Sequence, residues 1–149
     1  MTTLSRILLT VSQLILAGSS TTFAKDTLSG PILAEVVRVI DGDTLLVRAR
    51  IWLDQSVETR VRLAGIDTPE KRGLCDRERG LGRQAEEAVS QYLGDERRVY
   101  LTDVTADKYG RRVIARVQTE DGRDLGETLT EAGLAIPYDG GRKEKPWCP

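Results

Sequence analysis

ILAEVVRVIDGDTLLVRARIWL, residues 32–53, sets two runs rich in Val, Ile and Leu on either side of the turn DGD. Residues of that kind suit a pleated, half-buried surface, and Asp and Gly suit a tight reversal. The pattern predicts strands over 32–40 and 44–53, paired as a hairpin. DQSVE (54–58) reads as the next turn and TRVRLAGI (59–66) as a third strand. Further on, Ala85, Ala88, Val89, Tyr92 and Leu93 recur at helical spacing, which predicts a helix over 83–94 stopped by Gly94. RRVYLTDV (97–104) and RRVIARVQT (111–119) read as two more strands around the turn ADKYG, and 124–135 as a second helix with Asp124 as N-cap. Three strands, a helix, two strands and a helix fit a small α+β, mainly β domain. The architecture expected is a five-stranded OB-fold barrel with two or three helices.

The 149 residues suffice for one such domain. Residues 1–24 have another character: a single Arg, an apolar run ILLTVSQLILAG, then small residues with Thr22 and Ala24 at cleavage positions. That is the layout of a signal peptide, and the run falls short of the roughly 20 residues a membrane span needs. Export to the periplasm or the medium is expected, with 25–31 as a linker and the domain over 32–149. Without residues 1–24, 21 basic face 23 acidic side chains. That balance excludes a general electrostatic grip on polyanions, so any such partner needs a local basic face. An oxidising compartment favours a bridge between Cys75 and Cys148, the chain's two cysteines. Closing a loop of that length is worth about 4 kcal/mol in the chain-entropy model.

The chemistry concentrates in IDGDT (40–44) and GIDTPEKRG (65–73). Each has a bland explanation in turn chemistry. In a small barrel, however, the end of the third strand can lie beside the first turn, so that Asp43 faces Asp67. Two carboxylates held together repel unless a cation or protons neutralise them. With no histidine in the chain, hard oxygen ligands point to calcium or magnesium rather than zinc. Glu70 is then the carboxylate free to serve as general base. Arg62 and Arg111 offer planar forks suited to phosphate, with Lys108 and Tyr109 in the turn before Arg111. Lys71 and Arg72 would extend the same face. Arg48, Arg50, Arg60 and Arg116 read as ordinary solvated strand residues.

IDGDT, RLAGIDTPE and DKYGR, in that order and spacing, resemble the thermonuclease family typified by staphylococcal nuclease, from about Val36 to Tyr138. The resemblance implies an OB barrel that hydrolyses phosphodiesters in DNA and RNA with Ca2+. It implies Asp43, Asp67 and the main chain of Thr68 as metal ligands. Arg62, Glu70 and Arg111 fall on its catalytic positions, and Lys108 and Tyr109 on contacts to a nucleotide phosphate. Tyr138 lies near a stacking tyrosine of the family with offset spacing, and reads as a core or loop residue. This chain is slightly acidic where the prototype is basic, and it ends before the prototype's last helix. The rival expectation is an OB module that grips nucleic acid without cutting it. A monomer without a stable protein partner or, after cleavage, a membrane is expected.

Overall fold

The computed structural model describes residues 26–144 and 146–148. The expected signal peptide lies outside these residues. Eight strands and two helices follow in the order β1 (Thr27–Leu28), β2 (Ile32–Asp41), β3 (Thr44–Trp52), β4 (Gln55–Leu63), β5 (Ile66–Asp67), α1 (Asp76–Leu93), β6 (Arg98–Ala106), β7 (Arg112–Thr119), α2 (Leu125–Glu131) and β8 (Ile136–Pro137).

Strands β6, β2, β3, β4 and β7 pair in that order, and β7 pairs back onto β6, which closes a five-stranded barrel. One pairing, β4 with β7, is parallel, and the others around the barrel are antiparallel. Closure removes the open edges that a flat five-stranded sheet would expose. It is the OB-fold expected from the pattern of runs and turns.

Alternate residues fill the interior. Val36, Leu45, Val47, Val61, Val99, Leu101, Ala115 and Val117 are buried in one continuous core. Helix α1 covers the barrel with Ala85 and Val89, both fully buried, and α2 adds Leu125 and Leu129. Burying a side chain such as Leu129 contributes about 1.5–3 kcal/mol. The helices therefore hold to the barrel by their apolar stripes, as the spacing of α1 predicted.

Three boundaries differ from expectation. The β3–β4 turn is only Leu53-Asp54, so Gln55–Glu58, expected as a turn, belongs to a strand. Asp54 allows this by adopting a left-handed φ of 57°, which Asp tolerates better than most residues. Helix α1 begins at Asp76, seven residues before the expected start, because Cys75 caps it and Asp76 and Glu78 occupy its acidic first turn. Gly80 and Gly82 obscure that start in the sequence. Helix α2 ends early: Gly133, at φ 70°, follows its C-cap Ala132. Asp124 caps α2 as expected, accepting from the Glu127 N–H at 3.0 Å. Within the expected linker, Thr27 and Leu28 pair with Thr105 and Val104 of β6.

Candidate active site

The turn between β2 and β3 delivers Asp43, and the end of β4 delivers Arg62. They are brought together by strand pairing: Thr44 is the register partner of Arg62, and Leu63 N–H donates to the Asp43 carbonyl at 2.8 Å. Gly42 makes the turn possible. A Cβ there would stand 2.7 Å from Ala85 Cβ and 3.1 Å from Thr68 Oγ1, so only glycine lets the turn seat between α1 and Thr68. Asp67 arrives on β5, which pairs with β8 through Asp67 and Ile136. Asp43 and Asp67 are both buried, 6 % and 3 % exposed.

One guanidinium joins them. Arg62 Nη1 donates to Asp43 Oδ2, and Nη2 donates to Asp67 Oδ1 at 3.0 Å and to the Ile66 carbonyl at 3.2 Å. The second Asp43 oxygen accepts from the Thr44 hydroxyl at 2.8 Å. Burial pulls the Arg62 guanidinium down, but Asp43 and Asp67 outweigh it and hold it above its ordinary value. The two motifs therefore meet at one corner, as expected, with the Arg62 guanidinium between the two buried carboxylates. Their oxygens suit a hard divalent ion, and Thr68, 3 % exposed, lies on the same wall.

A cleft of about 610 Å³ opens over this corner, lined by Asp41, Asp43, Arg62, Thr68 and Glu70 on the barrel side. Lys108, Tyr109, Arg112, Tyr138 and Lys143 line the other side. Glu70 is placed by a close approach of α1: a Cβ on Gly82 would come within 2.7 Å of the Glu70 carbonyl carbon and of Lys71 N. Its carboxylate is well exposed and within 3.1 Å of Lys143 Nζ. Lys108 Nζ donates to the Gly140 carbonyl at 3.4 Å and lies 5.1 Å from the centre of the Tyr109 ring. Tyr109, 75 % exposed, presents a free aromatic face at the cleft mouth.

Tyr138 sits in the loop after β8, one of the two places expected for it, and that loop also lines the cleft: its ring centre is 5.6 Å from the Arg62 guanidinium carbon. Some expectations are corrected. Lys71 does not extend a phosphate-facing surface, because it pairs with Glu86 at 3.0 Å and Asp41 at 3.6 Å. Arg111 is not on the cleft wall. Strand β7 begins one residue later, and alternation turns Arg112 inward, with its Nε donating to Asp107 Oδ2. Arg111 is exposed, has a left-handed φ of 59°, and forms no ion pair or side-chain hydrogen bond among the described residues.

Lys143, Arg112 and Gly82 escaped the sequence. Arg112 was legible in principle, since Arg112 and Ile114 share a face in an alternating strand. Lys143 sits in the basic run GRKEK, where nothing local marks it out. Its position follows from the bridge between Cys75 and Cys148, which forms as expected with Cα atoms 6.0 Å apart. The buried carboxylate of Glu78 lies beside that bridge and accepts from Leu74 N–H at 2.8 Å.

The profile of the staphylococcal nuclease homologue family matches residues 60–146, which take in Arg62, Asp67, Glu70, the 107–112 hairpin and Lys143. The chain belongs to that family. A protein of Escherichia coli named as an uncharacterized endonuclease is 31 % identical over 117 residues, covering 78 % of this chain and 68 % of the relative. The Escherichia coli protein ParB is 39 % identical over 111 residues, covering 70 % and 56 %. A probable endonuclease of Clavispora lusitaniae is 27 % identical over 128 residues, covering 72 % and 54 %. The matched stretch contains every residue named above as lining the cleft except Asp41 and Asp43.

Proposed function

We propose that this chain is an exported, calcium-dependent nuclease that hydrolyses phosphodiester bonds in DNA, RNA or both. The observation that carries the proposal is the convergence of Asp43 and Asp67, 24 residues apart, on Arg62 beneath an open cleft. Asp43, Asp67 and the main chain of Thr68 would hold the calcium ion. When bound, it polarises a phosphoryl oxygen and offsets developing negative charge.

The remaining steps belong to the side chains. Glu70, reachable by solvent and close to Asp67 in the chain, orients the attacking water and accepts its proton. Arg62 lines the cleft from inside the corner, held in place by Asp43 and Asp67, and would offset charge that builds on the phosphoryl group. The second fork is Arg111. Arg112 is committed to Asp107 and fixes the hairpin. Arg111 carries a free guanidinium on a sparsely populated backbone conformation of the kind that clusters at functional sites. Lys108 and Tyr109 bind the adjoining nucleotide, and Tyr138 offers a second aromatic ring along the cleft.

Export is supported by the layout of residues 1–24 and by the disulfide, which an oxidising compartment preserves. The deciding experiment digests plasmid DNA and a structured RNA, each with calcium and with a chelator. Calcium-dependent cleavage of at least one is expected, and the pair of digests reads out the preference between them. Binding without cleavage at saturating calcium would instead favour the OB module that only grips nucleic acid.

A further inference from the structure

The last described residues fold back across the cleft. Tyr138 N–H donates to the Gly65 carbonyl at 2.9 Å, its hydroxyl donates to the Gly141 carbonyl at 2.9 Å, and Trp147 is buried. Cys148 closes the strap onto Cys75. Glu70 lies five residues before Cys75, and Lys143 lies five residues before Cys148. The bridge therefore returns Lys143 to the segment that carries Glu70. Its Nζ stands 2.8 Å from Asp67 Oδ1 and 3.1 Å from Glu70 Oε1.

We propose that Lys143 is a built-in counter-ion of the cation site, held by the disulfide-fastened strap, and that it sets how tightly the site binds a divalent cation. The inference rests on the assignment of Asp43 and Asp67 as cation ligands. Lys143 Nζ shares Asp67 Oδ1 with Arg62 Nη2, so a second positive charge already stands on the carboxylate that would hold the entering ion. An ammonium and a divalent ion at that distance repel, so one must withdraw. Arg62 is poorly placed to withdraw, being 8 % exposed and also bonded to the Ile66 carbonyl. Lys143 has a flexible stem and a side chain 36 % exposed. It is the cation that yields.

The disulfide matters because it keeps Lys143 at high local concentration. A group tethered a few residues from an anchor competes as though present at about millimolar level. Cutting the anchor dilutes it. Substrate phosphate gives the displaced ammonium a second partner, so Lys143 opposes the ion alone more than the ion with nucleic acid.

The test is calorimetric titration of calcium into the protein without nucleic acid, comparing the parent, Lys143→Met and Lys143→Arg. Lys143→Met should bind calcium about tenfold tighter, within the usual range of coupling between two sites. Lys143→Arg keeps the charge and should stay within about threefold of the parent on the same scale. Reduction and alkylation of the disulfide should tighten binding in the parent and have no further effect in Lys143→Met. Circular dichroism on each sample confirms that it remains folded. Equal affinity in parent and Lys143→Met would overturn the proposal while leaving the cation site intact. Weaker binding in Lys143→Met would overturn it too, showing that Lys143 gathers the carboxylates for the ion. A parent that binds no calcium would remove both the proposal and the assigned cation site.

Discussion

The two walls of the cleft are built by different means. Asp43, from the β2–β3 turn, and Arg62 and Asp67, from paired strands, are nearly inaccessible to solvent and are tied to one another. Facing them, the 107–112 hairpin and the segment from Tyr138 to Lys143 carry Lys108, Tyr109, Arg112 and Lys143 on more exposed stretches held by a few bonds and, beyond Lys143, one disulfide. The first wall is suited to fixing an ion, because barrel closure leaves its carboxylates nowhere else to go. The second is suited to following a polymeric substrate, because its cations keep conformational freedom. Changes to the first wall should therefore abolish chemistry, and changes to the second should grade it.

The largest effect is expected from Asp43→Ala. Without it Arg62 retains only Asp67 as a carboxylate partner, and the pair of carboxylates that would hold calcium is gone. Calcium-dependent turnover should fall by roughly a thousandfold, the upper end of what losing one preorganised electrostatic group costs. The barrel should survive, since Asp43 lies at a turn outside the apolar core. Steady-state digestion across a calcium series, with circular dichroism as control, checks both. Parent-like turnover at saturating calcium would remove Asp43 from the ligand set.

The arginines of the hairpin sharpen the comparison. Arg111→Lys retains charge but loses the planar fork, and turnover should fall by about a hundredfold with little change in apparent affinity. Arg112→Lys should cost less than about tenfold, because its bond to Asp107 positions the hairpin and a lysine can replace it in part. If instead Arg112→Lys is the severe variant and Arg111→Lys is mild, Arg112 is the fork that clamps phosphate.

The barrel and its carboxylate corner were legible because they follow from local rules. Alternation marked β2, β3, β4, β6 and β7, and the turn chemistry of DGD and GIDTPE placed Asp43 and Asp67 at strand ends on one side. The second wall was far less legible. Arg112 replaces Arg111 on the cleft wall through a single step of strand register, and periodicity resolves a strand's start no better than that. Lys143 reaches Asp67 through a covalent bridge spanning 73 residues, which no neighbouring residue reports. Gly82 fell just before the expected start of the helix and carried no signal of its own, whereas its missing side chain admits the Glu70 main chain.

Gly82 gives a graded test. In an exposed helix interior, Gly→Ala stabilises by about 1 kcal/mol. Here the new Cβ would meet main-chain atoms of residues 69–71 at 2.7–2.8 Å, atoms that cannot rotate away. Gly82→Ala should destabilise the protein by about 1–3 kcal/mol, the usual cost of overpacking. It should also slow turnover severalfold by shifting Glu70. Chemical denaturation and single-turnover digestion measure the two effects. A stabilised variant would show that α1 does not set the position of the barrel wall.

The smallest effect concerns Asp107, which fastens the second wall. Burial raises its carboxyl pKa, but the bonds from Arg112 and from Tyr109 N–H outweigh burial and hold it below the usual carboxylate value. A depressed folded pKa contributes stability that is fully present above the unfolded value, about 3.9, and is lost as pH falls through the folded one. Asp107→Asn should therefore be less stable than the parent at neutral pH. The gap in thermal midpoint should hold down to about pH 4 and then close with further acidification, since protonation makes the parent resemble the variant. Melting curves for both proteins between neutral and strongly acid pH decide it. A gap unchanged at the acid end would mean that Asp107 holds the hairpin by shape and hydrogen bonding alone, with no contribution from its charge.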